Sequence, residues 1–125
     1  MLIRVCTSKI HRATVTEADL NYVGSITIDE ALLEASGIKQ FQMVNVHNLS
    51  NAVVWQTYVI RGERGSGVIC LNGPPARHFH PGDKVIVLAE AYIEPSEITD
   101  LQLTVVIVED DENKRFKQLV KTSSP

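Results

Sequence analysis

Short segments rich in Val, Ile, Thr and Tyr recur along this chain between turn signals, the pattern of half-buried strands. It predicts strands over residues 2–7, 10–16, 25–28, 42–47, 53–60, 67–71, 84–92 and 103–109. Only residues 29–36 carry a helical period. Asp29 can serve as N-cap there, Glu30 sits at the positive end of the helix dipole, and Gly37 supplies the stop. The segment Gly62-Glu63-Arg64-Gly65-Ser66-Gly67 reads as a hairpin connection, Asn72-Gly73-Pro74-Pro75 as a sharp turn, and Pro81-Gly82-Asp83 as another. With neither an internal repeat nor a linker, residues 1–125 form one all-β domain with a single short helix, and eight strands in one domain favour a barrel.

Composition sharpens this picture in a few places. A chain of 125 residues buries roughly two-thirds of the surface that its unfolded form exposes, so a core is available without staples. Apolar residues make up 44% of it, no window approaches an uninterrupted membrane span, and Met1-Leu2-Ile3-Arg4-Val5-Cys6 lacks a signal-peptide layout. A cytoplasmic location and no membrane partner are therefore expected. Cys6 and Cys70 read as small reduced core residues. The net charge of -3, with twelve Lys and Arg scattered along the chain, argues against a nucleic-acid partner. The charge-dense run at residues 109–115 reads as the start of a solvated tail that extends through residues 110–125.

Candidate chemistry centres on Gly24-Ser25. Alone, a Gly-Ser pair is a common turn. Here it is preceded by Lys9-Ile10-His11-Arg12 and Tyr22, and followed by Thr57-Tyr58 and Asn72-Gly73. Together these residues resemble the bacterial aspartate 1-decarboxylase family, in nearly the same register from the N-terminus to about Glu90. The resemblance implies a double-psi β-barrel, usually a homotetramer, in which the Ser25 hydroxyl attacks the Gly24 carbonyl and the resulting ester eliminates. Residues 1–24 are thereby released as a β-chain, and residue 25 becomes a pyruvoyl cap on the α-chain. Glycine at position 24 suits that attack because it tolerates backbone conformations other residues resist.

The same resemblance implies a carboxy-lyase that forms β-alanine and CO2 from L-aspartate for pantothenate biosynthesis. The covalent pyruvoyl group would take up the substrate amine as a Schiff base, with no pyridoxal phosphate and no metal. Tyr58 takes the role of proton donor, its unperturbed pKa of about 10 keeping it protonated at neutral pH. Thr57 assists processing and contacts substrate, and Gly73, Pro74 and Pro75 align with a turn whose backbone lines the site. Asn72 can hydrogen-bond a developing oxyanion or the pyruvoyl oxygen. Lys9 and His11 share one strand face and offer charge and a proton-accepting ring. Strict alternation points Thr57 and Tyr58 to opposite faces, so one site can use both only through a bulge, a twist or a subunit boundary. Some relatives mature with an accessory protein, a possible partner here.

Two departures keep alternatives open. Position 54 carries an arginine in the family and is Val54 here, which favours a pyruvoyl decarboxylase of a less acidic amino acid unless Lys9, Arg12, His47 or Arg61 replaces the lost cation. Pro74 and Pro75 remove two backbone donors. An uncleaved, non-catalytic barrel is the third reading. The pair His78 and His80 flanking Phe79 is set aside as a solvated strand edge without a third metal ligand, and residues 62–67 lack the Gly-Lys-Ser/Thr ending of a phosphate loop.

Overall fold

Period-two alternation survives in the folded chain: along the strand Val54–Gly62, Thr57 and Val59 are buried while Val54 and Gln56 are exposed. The computed structural model describes residues 1–123. Its strands are β1 (Ile3–Thr14), β2 (Glu17–Asp19), β3 (Ser25–Asp29), β4 (Met43–Asn48), β5 (Val54–Gly62), β6 (Ile69–Asn72), β7 (Lys84–Ile93), β8 (Gln102–Val108) and β9 (Phe116–Thr122), with α1 (Glu30–Ser36) after β3. Hydrogen bonding orders them β2-β6-β3-β5-β4-β7-β1-β8-β9. Parallel pairs (β1–β8, β2–β6, β3–β5) are interleaved with antiparallel ones. Just beyond β1, the Thr16 amide donates to the Ile69 carbonyl at 2.8 Å, and the Ile69 amide donates to Thr16 Oγ1 at 2.9 Å. These bonds join the end of β1 to β6. The core lies inside the ring so formed, with Ile10, Ile26, Ile28, Val44, Val46, Val59, Ile69, Leu71, Val85 and Val87 contributed by all six of its strands. Each such side chain contributes roughly 1.5–3 kcal/mol by leaving water.

The short helix forms as its sequence dictates. Asp29 caps it by accepting from the Ala31 amide at 2.8 Å, and Gly37, at φ 79°, ends it with its N–H on the Leu33 carbonyl. Asp29 also accepts from the amides of Gly65 (3.0 Å) and Gly67 (2.8 Å), so one buried carboxylate orders both the helix start and the loop after β5.

Four expectations are corrected. The two strands predicted over residues 2–16 are one strand, β1, with register shifts between Cys6 and Ser8 and between His11 and Ala13. Bulges of this kind bend a strand without ending it, and Arg12 sits in the second at φ 64°. Three residues, Glu17–Asp19, add β2 beside β6. The solvated tail contains β9, paired with all seven residues of β8. Finally, His78-Phe79-His80 is not a strand: it follows the 3₁₀ turn Pro74–Arg77, with Phe79 fully buried and both histidines exposed.

Candidate active site

Ser25 opens β3 directly opposite Asn72, the last residue of β6, in an antiparallel pair. Ile26, Ile28, Ile69 and Leu71 point into the core, so Ser25, Thr27, Cys70 and Asn72 share the outer face. There the Asn72 side-chain amide donates from Nδ2 to Ser25 Oγ at 2.8 Å and to Thr27 Oγ1 at 3.0 Å, while its Oδ1 accepts from the Cys70 thiol at 3.2 Å. Ser25 is only 4% exposed and Asn72 6%. Burial, then the carboxylates of Glu17 and Asp19, push the Cys70 thiol up to about 11.

The turn after β6 clamps the segment before Ser25. Gly73 has φ 81° and ψ -146°, a region open essentially to glycine, and a Cβ there would stand 2.9 Å from Gly24 Cα, Gly24 N and the Tyr22 carbonyl oxygen. Gly24 itself has no positive φ, and a Cβ on it would meet nothing closer than 3.7 Å. The conformational demand expected at Gly24 therefore falls on Gly73. A cleft of about 370 Å³ opens beside the pair, lined by Glu17, Asp19, Tyr22, Thr27, Ile60, Val68, Cys70 and Asn72.

The remaining residues singled out in the sequence divide by position. Thr27 pairs with Ile60 in the β3–β5 register, and the same register carried back by two residues sets Tyr58 opposite Ser25 on the outer face. Tyr58 is half-buried; Thr57, on the inner side, is 6% exposed. No register shift interrupts β5, so the two remain on opposite faces. Lys9 and His11 share the outer face of β1, opposite Leu88 and Ile86 of β7, with β6 between β1 and β3 where the ring closes. They do not line the cleft. His11 Nδ1 is buried without a partner, and burial, then Lys9 and Arg12, hold the ring pKa below the usual histidine value, so it is neutral at pH 7. The Gly73 amide is bound to the Asp19 carbonyl at 2.7 Å and the two prolines have none, so residues 73–75 form a wall with no N–H for a ligand. Among the described residues no three His, Cys, Asp or Glu side chains group as metal ligands.

The family model for aspartate decarboxylase matches residues 1–115. The aspartate 1-decarboxylase of Caldicellulosiruptor saccharolyticus is 56% identical over 117 residues, 94% of this chain and 91% of that protein. Those of Lactiplantibacillus plantarum and Leptospira biflexa are 54% and 49% identical, covering 95% and 94% of this chain and 91% and 99% of their own lengths. The chain belongs to the aspartate decarboxylase family. Its members are carboxy-lyases.

Of the two departures that the resemblance implies, position 54 is on the outer face of β5, and Pro74 and Pro75 are in the 3₁₀ turn after β6. Val54 is 54% exposed and lies directly opposite His47 across β4 and β5, where such pairs have Cβ atoms about 5 Å apart. Of the four cations named as replacements, His47 is the one facing position 54. Arg61 lies beside Glu30, Glu34 and Lys39 on another surface, and Arg12 is on the β1 bulge. Sequence reasoning missed Cys70, Glu17 and Asp19. Cys70 is two residues from Asn72 on a strand and so shares its face, a signal hidden by reading the cysteine as core packing.

Proposed function

We propose that the chain cleaves itself between Gly24 and Ser25, carries the resulting pyruvoyl group at residue 25, and decarboxylates L-aspartate to β-alanine for pantothenate synthesis in the cytoplasm. The observation that carries this reading is the Asn72 amide at 2.8 Å from a buried Ser25 Oγ, in a turn where Gly73 alone permits the close approach of Gly24. The surroundings fit such a group: residue 25 is small and enclosed, and it faces a fixed N–H donor on Asn72, which itself lines the cleft.

Once formed, the pyruvoyl group would supply a carbonyl to bind the substrate amine and to take up the electron pair left on the substrate carbon as carbon dioxide departs. Asn72 holds the oxygen at residue 25 by a preorganised hydrogen bond. Tyr58, on the same face one strand away, delivers a proton to the substrate carbon. Thr57, buried on the inner side, supports the cleavage step from within the strand. Lys9 and His11 reach the site from a neighbouring copy in a homotetramer, which answers their separation from the cleft.

The denatured mass of fresh protein tests this. Two fragments divided between Gly24 and Ser25, the larger lighter by one ammonia than hydrolysis alone gives, are the expected result; an intact chain in every preparation would sink it. Exposed Val54 supports a second reading, a less acidic amino acid as substrate. Offering the cleaved protein L-aspartate beside apolar amino acids separates the two: turnover of aspartate alone keeps the first, turnover of the apolar acids alone the second.

A further inference from the structure

We infer that Cys70 is a positioning residue for maturation, its thiol holding the Asn72 amide in the orientation that presents an N–H to Ser25 Oγ. The inference rests on the reading that Ser25 matures. It starts from which groups can tell the two ends of an amide apart. Ser25 and Thr27 carry hydroxyls, which donate or accept equally well, so both accommodate either end of Asn72. The thiol does not: sulfur is a poor acceptor, and at 3.2 Å from Oδ1 its S–H donates. Ser25, Cys70 and Asn72 are all at most 6% exposed, so bulk water does not set the orientation. The raised thiol pKa keeps that proton in place throughout the neutral range.

Orientation matters because of where charge collects. Ser25 Oγ adds to the Gly24 carbonyl carbon, the Gly24–Ser25 C–N bond breaks, and an ester with a free amine at residue 25 results. A base then removes the residue 25 α-proton and the Cβ–Oγ bond breaks, its electron pair leaving on Oγ as the Gly24 carboxylate. Water next replaces the nitrogen of the dehydroalanine, as ammonia, and leaves the ketone. The atom that gathers negative charge in the second step is the one Nδ2–H addresses. With the amide turned over, Oδ1 would face it instead.

The test follows Gly24–Ser25 cleavage over time by denatured mass in the wild-type chain and in Cys70→Ser, Cys70→Val and Cys70→Ala, with thermal melting of each. Valine keeps the volume and the apolar character but has no donor; serine keeps a donor, but its hydroxyl also accepts and so only partly tells the two ends of the amide apart. A positioning role predicts that Val, with its melting unchanged, splits about tenfold slower than wild type, the order that one neutral hydrogen bond supports, with Ser between the two. A packing role predicts Val near wild type and Ala slow. Val as fast as wild type overturns the inference. An intact wild-type chain instead overturns the reading beneath it, so the two failures are distinct.

Discussion

At the scale of the residue, the neighbourhood of Ser25 assigns different jobs to its two glycines. Gly73 is irreplaceable for geometry, with a positive φ and backbone atoms of residues 22 and 24 at 2.9 Å from any added Cβ. Gly24 is replaceable for geometry, with an ordinary φ and 3.7 Å of clearance. In a Ser25→Ala background, where no chain is cut, Gly73→Ala is therefore expected to lose at least ~1–3 kcal/mol from backbone strain alone. Gly24→Ala, at a conformation alanine accepts, should instead change stability by less than about 1 kcal/mol. Urea denaturation of the two variants checks this, and equal losses would show that the clamp is not where the backbone places it. Sequence reasoning found both glycines but attached the strain to Gly24, because the close approach is made by a turn 49 residues further along that only tertiary structure brings near.

At the scale of the element, the strands that alternate were readable and those that do not were hidden. β5 buries Thr57 and Val59, and β7 buries Val85, Val87 and Ala89, an alternation visible in sequence. β9 buries almost none: only Phe116 packs against the core, and Lys117 to Thr122 are exposed, so its existence depends on backbone pairing with β8 rather than on a hydrophobic face. What starts it is Asn113, 1% exposed and at φ 61°. Its side chain extends the ladder of β1, with Oδ1 accepting from the Thr14 amide at 2.7 Å and Nδ2 donating to the carbonyls of Thr14 (2.7 Å) and Gly67 (2.8 Å). Asn113→Ala leaves three buried backbone groups unpaired, at about 1–3 kcal/mol for each that water does not reach. Asn113→Gly removes the same bonds without the φ penalty and should be nearly as destabilised. Hydrogen exchange of β9 amides is expected to speed up in both. Unchanged exchange would mean that β8 alone holds the strand.

At the scale of the whole molecule, the residues of the proposed site fall into two groups that the chain holds apart. The group around Ser25, Asn72 and the cleft is on β3 and β6; the group of Lys9, His11 and His47 is on the outer faces of β1 and β4. The residue types were legible in sequence because the family resemblance supplied them. Their separation was not, since alternation tells which face a residue takes and is silent on which strand lies next to which. The homotetramer proposed above would resolve it by setting one copy's outer face against the next copy's cleft. Co-expressing a Ser25→Ala chain with a Lys9→Ala chain tests this directly. Each alone is expected to be inactive, one lacking the carbonyl and the other the cation. In mixed assemblies that join copies at random, about a quarter of the sites combine an intact Ser25 with an intact Lys9 from its neighbour, and decarboxylation should return in that proportion. Native mass measurement establishes that hybrids have formed. Hybrids without activity would place both groups in one chain's site and require Lys9 to act from where the fold holds it, away from the cleft.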